Sequence, residues 1–160
     1  WKTSQGAEKW MHIKTHKNTE NACNYLKDKG FQLVAAHLSD TAVSYCDIDY
    51  TRPTALVLGS ELFGVSELTL SYVDQQINIP MVGVTQSLNV SVACAIVLYE
   101  AQRQRQAAGM YDHCRLDPEN LARQRFEWLH PVLADYCQRH GLQYPSLDES
   151  GDLAEPMPKP

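Results

Sequence analysis

The sequence predicts an α/β layer sandwich with a mainly parallel sheet, and three observations lead to that prediction. Short apolar segments typical of strands alternate along the chain with segments of helical periodicity. Residues 55–58 are apolar throughout, as parallel strands covered on both faces usually are. The chain has 160 residues, of which 44% are hydrophobic and 21% charged, so it can form one compact domain with appendages.

Periodicity and breaking residues place the elements in order. Strands are predicted near residues 10–15, 31–36, 55–58 and 76–79. Helices are predicted near residues 19–29, 66–73 and 87–105, and two further helices open at Pro118 and Pro131. Gly30 ends the first helix, Ser66 can cap the second, and Ser87 or Asn89 can cap the third.

Parallel strands bring their carboxyl ends to one edge of a sheet, where ligand crevices of α/β proteins lie. Three loops follow predicted strands and are expected to meet there, namely residues 36–39, 59–64 and 81–88. The third loop leads directly into a helix and exposes uncommitted backbone donors and acceptors. The sequence therefore predicts a ligand pocket at this edge.

Composition limits the classes of partner. The formal net charge of −5 argues against an indiscriminate nucleic-acid binder, which normally has a strong basic excess. Six of the 14 lysines and arginines are nevertheless arginines between residues 103 and 139, which leaves both a local RNA-binding patch and ordinary solvated helix faces open.

Membrane and metal partners are not expected. No apolar run approaches the length needed to cross a bilayer, and the first residues show neither an initiator Met nor a signal-peptide pattern, which is typical of a cut chain. His12 and His16 have the spacing of helical metal ligands, but the alternating residues around them favour a strand, which would hold them apart. The five cysteines form no Cys-x-x-Cys pair, which favours reduced thiols in a cytoplasmic protein.

The glycine loop after residue 58 lacks both the dinucleotide fingerprint and the Lys-Ser or Lys-Thr of a P-loop. It holds Glu61 between two glycines, where a carboxylate can orient a substrate group or be an ordinary loop residue. Residues 58–66 resemble the second motif, and residues 79–100 the third motif, of the SpoU branch of the SPOUT RNA 2′-O-methyltransferases. The continuation over residues 98–111 is similar to members of the TrmH type, which act on the D-loop guanosine of tRNA.

The resemblance covers about residues 3–144 and implies a fold that periodicity does not reveal. It implies a parallel-sheet α/β-knot domain over residues 1–110 with a C-terminal trefoil knot, a helical extension over residues 111–145 and a disordered tail over residues 146–160. It also implies S-adenosyl-L-methionine as cofactor, tRNA as substrate and a homodimer in which both subunits contribute to each active site.

The resemblance further implies roles for individual residues. The implied cofactor-binding residues are His37, Leu58, Gly59, Ile79, Met81, Ser87 and Leu88. The implied catalytic residues are Asn89, Ser87 and Glu61, and the implied RNA-binding residues are Arg103, Arg105 and Arg115. From the residues alone, the simpler interpretation of Ser87 and Asn89 as helix caps is favoured, and the complete third motif reverses that preference.

The family's first motif, with an Asn and the Arg regarded as the catalytic base, has no match in this sequence. The resemblance thus implies that this stretch by itself is inactive or weakly active, and no arginine present is assigned the missing role. Two other functions stay open: a non-catalytic RNA-binding or dimerisation module on the same scaffold, and a small-ligand α/β domain unrelated to RNA. The modified nucleotide and the set of RNA substrates are also open.

Overall fold

The computed structural model describes residue 11 and residues 13–60, 63–83 and 87–156. The chain divides into an N-terminal unit, residues 1–111, and a C-terminal unit, residues 112–160. The N-terminal unit contains α1 (Thr19–Asp28), β1 (Gln32–Ala36), β2 (Val43–Ser44), a 3-10 helix (Tyr45–Asp47), β3 (Thr54–Val57), α2 (Glu67–Leu70), β4 (Gln75–Asn78) and α3 (Val90–Ala107). The C-terminal unit contains α4 (Pro118–Leu129) and α5 (Pro131–His140).

The four strands form one sheet in the order β2-β4-β1-β3, and every neighbouring pair is parallel. Residues 33–35 of β1 have no exposed surface, as expected of a central strand covered on both faces. Because the pairing is parallel, the carboxyl ends of β1, β3 and β4 lie along one edge. The predicted α/β class with a parallel sheet is confirmed.

The core of the N-terminal unit lies between the sheet and α3. Val34 and Ile77 from the sheet cluster with Val97 and Ala101 from α3, and Tyr50 from the segment after the 3-10 helix completes the cluster. Side chains alternate along a strand, so Leu33 and Ala35 face the opposite side of the sheet, and α1 contacts β1. This packing fixes the position of the amino end of α3 relative to the strand ends.

The helices begin where the sequence predicts capping residues. The Ser66 side chain accepts a hydrogen bond from the Thr69 backbone N–H, and the Asp117 side chain accepts one from Asn120. Of the two candidates for α3, Asn89 is the cap, with its side chain accepting from the Ser91 N–H.

Three local predictions were wrong. The described residues within the expected strand at 10–15 lie outside any strand. Met11 and Ile13 are 61% and 63% exposed there, so neither apolar side chain packs in the core. The helix that begins after Ser66 ends at Leu70 rather than near residue 73. The two-residue strand β2 was not predicted, because so short an element carries no periodicity.

In the C-terminal unit, α4 and α5 enclose a small core of Phe126, Ala134 and Cys137. The Phe126 ring stacks on Tyr144 with 4.6 Å between ring centroids. Residues 146–156, expected to be disordered, instead fold back on themselves, with the Ala154 N–H donating to the Ser146 carbonyl at 2.9 Å. The Arg125 side chain donates to two backbone carbonyls of this segment, which adds polar contacts that its composition did not reveal.

Candidate functional site

A cavity of about 510 Å³ lies at the carboxyl ends of β1, β3 and β4. Residues from all three loops that follow these strands line it together with the first residues of α3. The lining residues are Ala36, His37, Leu38, Leu58, Gly59, Ser60, Gly64, Ser87, Leu88, Asn89, Val90 and Ala93. This volume is within the usual range of small-molecule sites.

A second cavity of about 210 Å³ shares His37, Leu38, Ser87 and Leu88 with the first. Its other lining residues include Ile79 and Met81, which follow β4. Every residue that the sequence implies for cofactor binding therefore lines one or both of these adjoining cavities. We refer to the two together as the strand-end pocket.

The two ends of the loop after β3 are held together by backbone contacts. Ser60 and Gly64 exchange two backbone hydrogen bonds, of 3.0 and 2.8 Å. A Cβ atom at Gly59 would lie 2.0 Å from the backbone carbon of Gly64, so only glycine fits there. Glu61, the third implied catalytic residue, lies outside the described residues.

Asn89 combines the two roles that the sequence left open. It lines the pocket, and its Oδ1 accepts a hydrogen bond of 2.9 Å from the Ser91 N–H. Because Oδ1 is engaged in capping α3, Nδ2 is the part of this side chain suited to contact a ligand. Ser87 is exposed and lines both cavities without capping the helix.

The pocket is electrostatically mild. Its described lining side chains are uncharged apart from the ionisable His37, so backbone N–H and C=O groups at the strand and helix ends supply much of the polarity. Such a surface binds a ligand through shape and neutral hydrogen bonds. The described lining residues include no lysine or arginine that would repel a positively charged ligand atom.

The structure separates the three implied RNA-binding arginines into different environments. Arg103 is bound to Glu100 through two hydrogen bonds, from Nε at 2.8 Å and from Nη2 at 2.7 Å, although 68% of its side chain is exposed. Arg105 donates from Nε to the Tyr50 carbonyl at 2.8 Å. Arg115 is exposed and belongs to the C-terminal unit.

A buried polar network around Glu100 was missed by sequence reasoning. Glu100 is 9% exposed and also accepts from the Gln104 amide at 2.8 Å, while Gln104 exchanges hydrogen bonds with the Ile48 carbonyl and the Tyr50 N–H. The hydrogen bonds from Arg103 and then Gln104 lower the pKa of Glu100 to about 2. The i, i+3 spacing of Glu100 and Arg103 is the sequence signal from which this ion pair could have been predicted.

The outer face of α3 is apolar and exposed. Tyr99 is 75% exposed and Val92 is 47% exposed, and both line a shallow groove of about 730 Å³. Its other lining residues are Tyr45, Ser91, Ala95, Ile96, Glu100 and Arg103. We refer to this surface as the α3 groove.

In the described part of the chain, histidine, cysteine and acidic side chains form no group of three that could hold a metal ion. Among its helices, none combines the length and apolar character needed to span a membrane.

Comparison with known proteins supports the motif resemblance. The model of the SpoU rRNA Methylase family matches residues 1–99, and the model for the C-terminal region of SpoU rRNA methylases matches residues 103–156. The residues matched by these two models include the parallel sheet and the residues that line the strand-end pocket. The chain belongs to the SpoU methylase family.

Individual relatives show which members of the family this chain is similar to. The chain is 47% identical over 150 residues to the tRNA (guanosine(18)-2′-O)-methyltransferase of Escherichia coli K12, and this alignment covers 92% of this chain and 66% of that enzyme. Its fold matches the Aquifex aeolicus TrmH/SpoU tRNA modifying enzyme with a TM-score of 0.70 and 41% identity, covering 88% of this chain and 67% of the other. It also matches AviRb of Streptomyces viridochromogenes in complex with AdoMet, with a TM-score of 0.61 and 27% identity over 66% of this chain and 44% of the other.

Proposed function

We propose that this chain is the cofactor-binding part of an enzyme that transfers a methyl group from S-adenosyl-L-methionine to the ribose 2′-hydroxyl of the D-loop guanosine of tRNA. The observation that carries the proposal is the convergence of three loops, one after each of β1, β3 and β4, on one pocket. The chain spans 66% of the length of the Escherichia coli relative, which has this specificity by name.

The pocket suits the cofactor. Backbone groups at Leu58, Gly59, Ile79, Met81 and Leu88 would hold its adenine and ribose through neutral hydrogen bonds. His37 lies beside them at the end of β1. The absence of a lysine or arginine among the described lining residues suits a cationic sulfur.

Methyl transfer from a sulfonium mainly requires that the accepting hydroxyl be aligned with the sulfur–methyl bond and lose its proton. Asn89 and Ser87 lie at the amino end of α3, beside the proposed cofactor site. We assign them to positioning the substrate ribose and phosphate, with Asn89 acting through Nδ2. Glu61, from the loop after β3, is the third residue of this proposed constellation.

The proton acceptor is not assigned to any residue of this chain. The described arginines lie outside the lining of the pocket, and Arg103 and Arg105 are engaged with Glu100 and the Tyr50 carbonyl. We therefore expect the chain by itself to bind the cofactor with little or no methyl transfer.

We further propose a homodimer that uses the α3 groove, since an exposed apolar helix face gains stability by packing against a second copy. The proposal includes the C-terminal trefoil knot that the family resemblance implies and a cytoplasmic location with reduced thiols. RNA contact is assigned to Arg115, an accessible cation outside the lining of the α3 groove. Arg103 lines that groove and is bound to Glu100, so we expect it to contribute less. Arg105, with its Nε bound to a backbone carbonyl, also contributes less.

Calorimetric titration of the folded chain with S-adenosylmethionine and S-adenosylhomocysteine tests the cofactor assignment. We expect both to bind, and no binding of either would overturn the proposal. In the full natural protein, Asn89→Ala should reduce the rate of transfer far more than the affinity for the cofactor. Equal losses in both would refute the positioning role.

A pair of arginine variants tests the RNA assignment. Arg115→Ala should weaken tRNA binding and make it less dependent on salt, with an unchanged melting temperature. Arg105→Ala is the comparison variant: it should weaken tRNA binding less than Arg115→Ala, but it should lower the melting temperature because it removes a partner of the Tyr50 carbonyl. A non-catalytic RNA-binding module would instead bind tRNA but fail to methylate it in the full natural protein.

A further inference from the structure

The loop after β1 is attached to β4 at two adjacent positions. The His37 backbone N–H donates to the Ile77 carbonyl at 3.1 Å, which extends the β1–β4 ladder by one residue. The Ser39 Oγ–H then donates to Oε1 of Gln76 at 2.6 Å. The residue between these attachments, Leu38, is 64% exposed and lines both cavities of the strand-end pocket.

The second attachment is made by side chains and crosses from a loop to a strand. Gln76 and Ser39 are both half-buried, and their hydrogen bond is partly shielded from water. Ile77 packs in the core against α3, so the alternation of side chains directs Gln76 to the other face of the sheet. Ser39 must therefore fold back over that face, and the Ala42 N–H to Ser39 carbonyl bond of 3.2 Å closes the resulting turn.

The same strand positions another wall of the pocket. Residues Asn78, Ile79 and Met81, which follow Gln76 along the chain, line the smaller cavity together with His37 and Leu38. A bond between Ser39 and Gln76 thus sets the distance between the loop after β1 and the chain that leaves β4.

We propose that Ser39 and Gln76 form a positioning pair that holds the loop after β1 in the conformation that binds the nucleoside part of the cofactor. The inference rests on the proposed function, because that function supplies the ligand. Neither side chain lines the pocket, so the pair acts through His37 and Leu38.

Variants of both residues test the pair by the affinity of the chain for S-adenosylhomocysteine. Ser39→Ala and Gln76→Met each remove one end of the bond and should weaken binding on the order of fivefold, which corresponds to one ordinary hydrogen bond. Ser39 Oγ also lies 3.3 Å from the Thr41 Oγ1, so the double variant should be no weaker than Ser39→Ala, since the bond to Gln76 can be lost only once. Ser39→Thr and Gln76→Glu keep the donor and the acceptor, respectively, and should bind within about twofold of the original chain.

A matched control lies at the opposite end of the same sheet. There Gln32 Nε2 donates to the Thr54 Oγ1 at 2.7 Å, which joins side chains of β1 and β3, and that Oγ1 donates to the Arg52 carbonyl at 2.9 Å. Thr54→Val removes both bonds far along the strands from the pocket. It should lower the melting temperature to a similar extent as Ser39→Ala but leave the affinity unchanged, a result that a merely structural role of Ser39 does not predict.

The outcomes separate the two proposals. If the original chain fails to bind S-adenosylhomocysteine, the proposed function is overturned and the positioning pair with it. If the original chain binds and the Ser39→Ala or Gln76→Met variant binds equally well, only the positioning pair is overturned. Additive losses in the double variant, or an equal loss of affinity in Thr54→Val, would also overturn it.

Discussion

Gly59 and Gly64 lie so close that a Cβ atom on Gly59 would be 2.0 Å from the Gly64 backbone carbon. The contact is between backbone atoms, which cannot move aside as the end of a flexible side chain can. The lack of a side chain at Gly59 therefore allows the two ends of the loop after β3 to meet at the edge of the pocket.

We expect Gly59→Ala to lower the free energy of unfolding by about 2 kcal/mol or more and to abolish cofactor binding, because the turn must open. Urea denaturation and calorimetric titration measure the two effects. Gly30→Ala is the control, since Gly30 has a φ of 78° but no atom within 4 Å of an added Cβ. That variant should cost about 1 kcal/mol and bind normally, and normal binding by Gly59→Ala would contradict the role of the turn.

The two roles of Asn89 can be separated by Asn89→Asp. An aspartate keeps the oxygen that accepts from Ser91, so α3 should remain as stable as in the original chain, whereas Asn89→Ala should cost about 1 kcal/mol. Aspartate lacks the Nδ2 donor, so the full natural protein carrying either variant should lose methyl transfer. Thermal unfolding and a methylation assay measure the two properties, and full activity of Asn89→Asp would exclude a role for Nδ2.

Glu100 makes the stability of the chain dependent on pH in the acid range. Its pKa falls from 4.5 to about 2 on folding, chiefly through the hydrogen bonds from Arg103 and Gln104. A group whose pKa falls on folding stabilises the protein above its unfolded pKa, and this contribution is lost as the pH drops from about 4.5 to about 2.

We expect Glu100→Gln to lower the free energy of unfolding by about 1 kcal/mol at neutral pH and to flatten its decline in that acid window. Urea denaturation at several pH values measures both. Glu67→Gln, at an exposed position in the first turn of α2, should leave the pH profile as it is. A Glu100→Gln profile that stays parallel to that of the original chain would show that another group causes the decline.

The Tyr50 hydroxyl is buried without a hydrogen-bond partner among the described residues. Burial, followed by the nearby negative charge of Glu100, raises the pKa of Tyr50 to about 12. A raised pKa favours the protonated form on folding, so the stability that it contributes is lost as the pH rises from about 10 towards 12.

Tyr50→Phe should therefore leave the free energy of unfolding unchanged or raise it by up to about 1 kcal/mol at neutral pH, in contrast to most substitutions in a core. It should also reduce the loss of stability in alkali. Tyr111→Phe, at a residue that is 58% exposed and outside the lining of the α3 groove, should change neither property. A clear destabilisation by Tyr50→Phe in urea denaturation would indicate that the hydroxyl has a partner, such as a bound water.

Sequence reasoning located the pocket because strand ends are marked by local signals. The apolar run before Leu58 and the capping residue Asn89 each specify where an element begins or ends. In a parallel sheet those boundaries already determine which loops share an edge. The prediction of a strand near residues 10–15 was wrong because alternation along the chain forms a strand only when another strand is present to pair with it.

The sequence by itself determined the α/β class, the helix caps and the family, because these depend on periodicity, on single capping residues and on motifs read along the chain. Only the tertiary structure decided that Arg103 and Arg105 are bound within the N-terminal unit and that Ser39 reaches Gln76. These contacts join residues whose proximity depends on strand order and on the packing of α3. Nothing along the chain specifies such distances, since they exist only after the elements have packed.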